Sequence, residues 1–120
     1  MSDVINVAQK IESITQEIDR ARKNLPLRAQ EKSAHIGAYE KKIALVMMGL
    51  KNGKEYKLED QSVRDPVNTI IEKIARGICW KEKMNMDLAE SNYKVAMKNL
   101  DALESVLQGY QSINRHLERV

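Results

Sequence analysis

Two histidines, His35 and His116, and one thiol, Cys79, are the side chains best suited to bind a metal or attack a substrate. Their spacing argues against both. No His-Glu-x-x-His or Cys-x-x-Cys occurs, and no two of them share a helical face at ligand spacing. A di-metal site of the helical-bundle type needs a Glu three residues before an inward His. Residue 32 is Lys and residue 113 is Ile, so neither histidine qualifies. The glycines Gly37, Gly49, Gly53, Gly77 and Gly109 are scattered singly and build no phosphate-cradling loop. The expectation is no catalytic residue, no cofactor and no metal, with surface histidines and a half-buried Cys79 packed beside Trp80.

Cations come next. Arg20, Arg22, Lys23 and Arg28 form one cluster, and Lys51, Lys54 and Lys57 a second. Phosphate binding wants uncompensated positive charge, often interleaved with aromatic stacking platforms. Here 20 basic residues face 17 acidic ones, and the net charge is only +3. A solvated charged face is the plainer reading, with a nucleic-acid patch as its alternative. Trp80 with Met84, Met86 and Leu88 is a third group. Trp and Met favour protein-binding surfaces, although at helical spacing they also serve as core or oligomer packing.

The elements that must carry these residues are few and long. The 120 residues are 42% hydrophobic and 31% charged, with only 4% aromatic, and include just 5 Gly and 2 Pro. That is room for one domain, and too few aromatic residues for an ordinary β-sandwich or barrel core. A single cysteine excludes an intrachain disulfide, and the first residues lack the basic and apolar blocks of a signal peptide. The most apolar run, Ile43 to Leu50, is far shorter than the roughly 20 residues of a membrane span. A cytoplasmic protein that does not cross the membrane is expected.

Apolar residues recur in steps of three and four. One stripe runs Val4, Val7, Ile11, Ile14, Ile18, Ala21 and Leu25; a second runs Ala29, Lys32, Ile36, Tyr39, Ile43, Val46 and Leu50. This is the spacing of a helix packed along its length against another. The two stripes join only through a slip of one residue at Leu25–Pro26, where a proline predicts a kink or break. Ser2 or Asp3 can cap the start. Asn52–Gly53 suits either a helix end, with Gly53 as the left-handed closing residue, or a β-hairpin turn followed by alternating Tyr56 and Leu58. The stripe continuing to Leu50 favours the helix end, with the segment to Arg64 irregular.

Asp65–Pro66 predicts the start of the last arm, capped by Asp65. Its stripe is Val67, Ile71, Ile74 and Ile78, then Ala89, Tyr93, Ala96, Leu100, Leu103, Leu107, Tyr110, Asn114 and Leu117. The gap from Ile78 to Ala89 is a stutter, which predicts a joint between residues 77 and 86. The predicted fold is all-α: one helical domain over 1–120, an antiparallel hairpin with arms at about 3–50 and 66–119 and a tip at 51–65. Two such helices bury a thin seam. Ile11, Ile14, Ile18, Ile43, Leu100, Leu103, Leu107 and Tyr110 are its candidate oligomer or partner residues. A homo-oligomer is expected, most simply an antiparallel dimer forming a four-helix bundle.

At Ile74-Ala-Arg-Gly-Ile-Cys-Trp80, Asp87-Leu-Ala-Glu-Ser-Asn-Tyr93 and Gly109-Tyr-Gln-Ser-Ile-Asn-Arg115 the chain resembles small helical proteins of phages and prophages of low-GC Gram-positive bacteria. The resemblance begins around Tyr39, and the Asn-Gly tip departs from it. It implies a phage-encoded, non-enzymatic, all-helical protein, associated with early genes for DNA replication or recombination, and no catalytic residue. Together with the stripes it leads to a protein that works by binding other proteins and itself. The alternatives are a nucleic-acid-binding accessory factor or an inhibitor of a host defence protein.

Overall fold

A computed structural model describes residues 2–119, and Ser2 by its backbone alone. The cap expected at Ser2 therefore lies outside the described side chains. Helix α1 spans Ser2–Lys51, strands β1 and β2 span Tyr56–Leu58 and Gln61–Val63, and helices α2 and α3 span Ile71–Ile78 and Trp80–Arg119. Helix makes up 85% of the chain, so the class is all-α despite the two strands. No described helix is long and apolar enough to cross a membrane. The chain divides into two compact units, Met1–Ala29 with Ser91–Val120, and Gln30–Glu90.

In the first unit α1 and α3 run antiparallel. Leu103 shares a groove with Glu17 and Asn24, whereas Asn92 lies beside Arg28. Val7, Ile11, Ile14, Ile18, Ala21 and Leu25 are all buried or half-buried, as are Leu100, Leu103, Leu107 and Tyr110 on α3. Val4 alone of the first stripe is exposed. Among the described residues, Ile14 and Ile18 are the hydrophobic side chains that count as buried here, so the seam is thin. At about 25 cal/mol per Å² of apolar area, half-covered side chains contribute correspondingly less than core ones.

Of the kink or break expected at Pro26, the break does not form. Helix α1 continues through it as one element. Proline removes the amide that would bond to the Arg22 carbonyl, but Pro26 and Arg22 both lie on the solvent face. Water can satisfy that carbonyl, and the seam on the opposite side carries the helix across.

The second unit holds a denser core. Tyr39, Val46 and Leu50 of α1 meet Ile71 and Ala75 of α2 and Cys79, with Ile43, Met47, Tyr56, Val63, Ile74, Ile78 and Met86 packed around them. Helix α1 ends where Gly53 takes φ +82°. The Lys54 amide donates to the Gly49 carbonyl at 2.9 Å and the Gly53 amide to the Leu50 carbonyl at 3.3 Å. These paired bonds are a Schellman closure, which requires the left-handed conformation that glycine adopts freely.

The connection is not irregular beyond that point. Strands β1 and β2 form an antiparallel hairpin in the register Tyr56–Val63, Lys57–Ser62 and Leu58–Gln61. Its turn is Glu59–Asp60, with Glu59 at φ +57°. The last arm also starts later than Asp65–Pro66. Asp65 itself sits at φ +48°, and a single 3₁₀ turn, Asn68–Ile70, precedes α2. A residue in that left-handed conformation is not the extended cap that a helix beginning at Pro66 needs.

The expected joint is present, at Cys79. Its ψ of 23° separates α2 from α3, although its amide still reaches the Ala75 carbonyl at 3.0 Å. The buried line here passes through Ile71, Ala75, Cys79, Glu82, Met86 and Ala89, with Ile74 and Ile78 half-buried at its flank. The slip in the repeat therefore falls at Ala75–Cys79, not between Ile78 and Ala89.

Candidate partner-binding surface

That buried line decides which side chains of the second unit are left outside. Trp80, Met84 and Leu88 recur every four residues along α3, so they form a ridge on one face. They are 55%, 60% and 60% exposed. Beside Trp80 opens a groove of about 490 Å³ lined by Lys57, Leu58 and Glu59 of the hairpin and by Gly77 and Ile78 of α2. Leu58 lies over Gly77, its Cδ1 3.1 Å from where a β-carbon would stand. The glycine thus lets the hairpin settle close to the helix and fixes the depth of the groove.

Such a surface can take an apolar side chain into the groove while the indole of Trp80 packs over it. Lys57 and Glu59 supply opposite charges at the hairpin end. Aromatic rings bury 150–250 Å² each, in general terms, and dominate interface energetics. Met86, grouped with Trp80 and Met84 on sequence, does not belong here. It is half-buried and packs against the core.

The seam residues lie within one chain. Ile14 and Ile18 are buried, and Ile11, Ile43, Leu100, Leu103, Leu107 and Tyr110 are half-buried without a second copy. The cations fall in different units. In the first, Arg22 bonds Glu104 at 3.1 Å and Lys23 pairs with Asp19 at 3.0 Å, while Arg20 is exposed and Arg28 half-buried. In the second, Lys51, Lys54 and Lys57 are exposed, and Lys54 stands 5.1 Å from the centre of the Tyr56 ring. Arg22 and Lys23 of the first cluster are therefore already paired with carboxylates.

Titratable groups gather at one place that sequence spacing did not single out. Glu82 occupies the buried line, and its Oε1 accepts a bond from Lys42 Nζ across the helices at 2.7 Å. The Lys42 ammonium holds the Glu82 carboxyl below its ordinary range, and Glu82 in turn raises Lys42. The other oxygen, Oε2, is buried with no hydrogen-bond partner. Lys83 lies 5.7 Å from the centre of the Tyr39 ring nearby. Cys79 is fully buried rather than half-buried, and burial, then the Glu82 charge, pushes its thiol up. The thiol form is thereby favoured over the nucleophilic thiolate. The 4-3 phase through Ala75, Cys79, Glu82 and Met86 was the available signal for Glu82.

His35 is half-buried on α1, and His116 is exposed on α3. No group of three or more His, Cys, Asp or Glu side chains converges as a metal site among the described residues. No protein-family model, no curated protein and no solved structure matches the chain.

Proposed function

We propose that this chain is a non-enzymatic helical docking protein of phage or prophage type that works by binding another protein and by self-association. The observation that carries this reading is the ridge of Trp80, Met84 and Leu88, three large apolar side chains standing in solvent beside an open groove. Exposed apolar clusters rimmed by polar groups are the usual mark of protein interfaces. The phage setting and a cytoplasmic location rest on the resemblance and the chain's composition. An inhibitor of a host defence protein would use the same chemistry toward a defined target.

Sedimentation of the purified chain at micromolar concentration, with capture from a host lysate, tests the reading. Self-association is expected, together with a captured protein that is lost when Trp80→Ala and Met84→Ala are combined. A monomer that captures the same proteins with and without those substitutions overturns it.

A further inference from the structure

The groove beside Trp80 carries a charge pattern of its own. Leu58 of β1, Gly77 and Ile78 of α2 and the indole give it apolar walls, while Lys57 and Glu59 line the hairpin side. Lys73, Gly77 and Lys81 recur every four residues, the spacing that stacks positions on one helix face. Helical bonding carries across the joint at Cys79. Its amide donates to the Ala75 carbonyl at 3.0 Å, and its carbonyl accepts from the Lys83 amide at 3.0 Å. The row is therefore kept through the joint, and the glycine beneath Leu58 has a lysine one turn to either side.

Pairing sets these lysines apart from their neighbours. Of Lys73, Arg76, Lys81 and Lys83 on α2 and the first turn of α3, Arg76 is bonded to Glu72 at 2.6 Å and Lys83 to Asp87 at 3.2 Å. Lys73 and Lys81, the two in line with Gly77, have no carboxylate within ion-pair distance among the described residues, and neither has Lys57. All three are exposed. Against them the lining sets the carboxylate of Glu59. The opening is thus apolar inside and cationic around its rim.

This combination selects its occupant. Apolar walls favour a large apolar side chain, and unpaired ammonium groups favour carboxylates on either side of it. Opposite charges across an interface steer association and reject partners of the wrong sign. The same lysines do not make a nucleic-acid track. Tolerant binding of single strands uses successive aromatic platforms along a cationic groove. Here Trp80 stands alone, the ring of Tyr56 is turned onto Gly49, and Glu59 would oppose phosphates at the groove itself.

We propose that the Trp80 groove receives an acidic segment of a partner protein, with one large apolar side chain entering beside the indole and flanking carboxylates meeting Lys57, Lys73 and Lys81. This occupant rests on the docking reading and adds the partner's chemistry to it.

A random peptide library on beads, screened with the full chain in low-salt buffer, reads the preferred chemistry directly. Retained peptides should carry several Asp or Glu residues around one aromatic or large aliphatic residue. In titrations of a labelled retained peptide, Trp80→Ala should weaken binding at least about tenfold, as the loss of an aromatic anchor does. Combining Lys57→Glu, Lys73→Glu and Lys81→Glu should weaken it by a similar factor, and each reversal alone by less. Added salt should weaken it as well, because these charges are exposed. Lys10→Glu, Lys94→Glu and Lys98→Glu together change the net charge equally within the first unit and should leave the affinity unchanged. Circular dichroism should show the helix intact in every variant.

Neutral or basic peptides, or acidic ones lost in Trp80→Ala yet indifferent to the groove lysines, overturn this chemistry and leave the docking surface standing. A control triple that weakens binding as much as the groove triple does the same. Displacement of the peptide by a mixed-sequence single-stranded oligonucleotide that binds more tightly overturns it in favour of a phosphate partner. If no peptide is retained, or Trp80→Ala changes nothing, the chemistry and the docking role of the groove fall together.

Discussion

The ring of Tyr56 rests on the backbone of Gly49, with Cε2 and Cζ 3.0 Å from where a β-carbon would stand. Two residues further along β1, Leu58 rests on Gly77 in the same manner. One strand is thus seated on two helices through two glycines, and both contacts come from the same face of the strand because its side chains alternate.

Gly49→Ala should therefore destabilise the chain. The added methyl meets the Tyr56 ring, and overpacking of this kind costs about 1–3 kcal/mol, against less than about 1 kcal/mol gained in helix propensity. Gly37 is the control. Nothing lies within 4 Å of its β-carbon position, so Gly37→Ala should stabilise by roughly 0.5–1 kcal/mol. Urea denaturation of the two variants should give midpoints displaced in opposite directions.

Pro26 lies inside α1 on its solvent face. Replacing it by alanine restores the missing amide bond to Arg22 and removes the ring's clash. A stability gain of up to about 3 kcal/mol is expected. A loss on thermal melting would mean that the proline sets a bend on which the seam depends.

The Lys42–Glu82 pair makes stability depend on acid. Glu82 titrates below its ordinary value of 4.5 in the folded chain. Its contribution is complete above that value and is lost as pH falls through the lower folded one. Glu82→Gln should be less stable than the unsubstituted chain at neutral pH and should lose less of its stability on acidification below 4.5. Parallel thermal melts in neutral and acid buffers would show the two curves converging. Equal slopes in acid would remove Glu82 as the source.

Trp80 and Leu50 are opposite cases. Trp80 is more than half exposed, so Trp80→Ala should cost less than truncating a core residue, no more than about 2 kcal/mol. Leu50 is among the most deeply buried side chains, and Leu50→Ala should cost about 2–5 kcal/mol. Fluorescence from the single indole should report a wet environment in the free chain. A buried signal, or a large loss of stability in Trp80→Ala, would remove the ridge as a docking site.

The helical arms were legible because their apolar spacing is itself the physical cause of the packing. From Val7 to Leu50 every stripe residue is at least half-buried. Gly53 was legible for a related reason, since few residues tolerate its conformation. Three features were not. The strand turn uses Glu59 at positive φ, where no Gly or Asn marked it. At Pro26, local preference pointed to a kink or break, and lateral packing, with the proline on the solvent face, kept the helix continuous. At Cys79, small and polar residues, Ala75 and Glu82, took buried places while Ile74 and Ile78 moved to the flank. A pattern of apolar types follows hydrophobicity, whereas the packed line followed helical phase. Met86 went to the core for the same reason.

The seating of Tyr56 and Leu58 bears on the order in which the chain assembles. Gly49, the strand and Gly77 lie close together in sequence, so docking them closes only short loops and loses little chain entropy. Contacts of this local kind form fast. Folding should therefore start in the second unit, with the pairing of α1 and α3 in the first unit following. Amide protons near Ile5 and Leu117 should accordingly exchange with solvent long before those of Leu50 and Ala75.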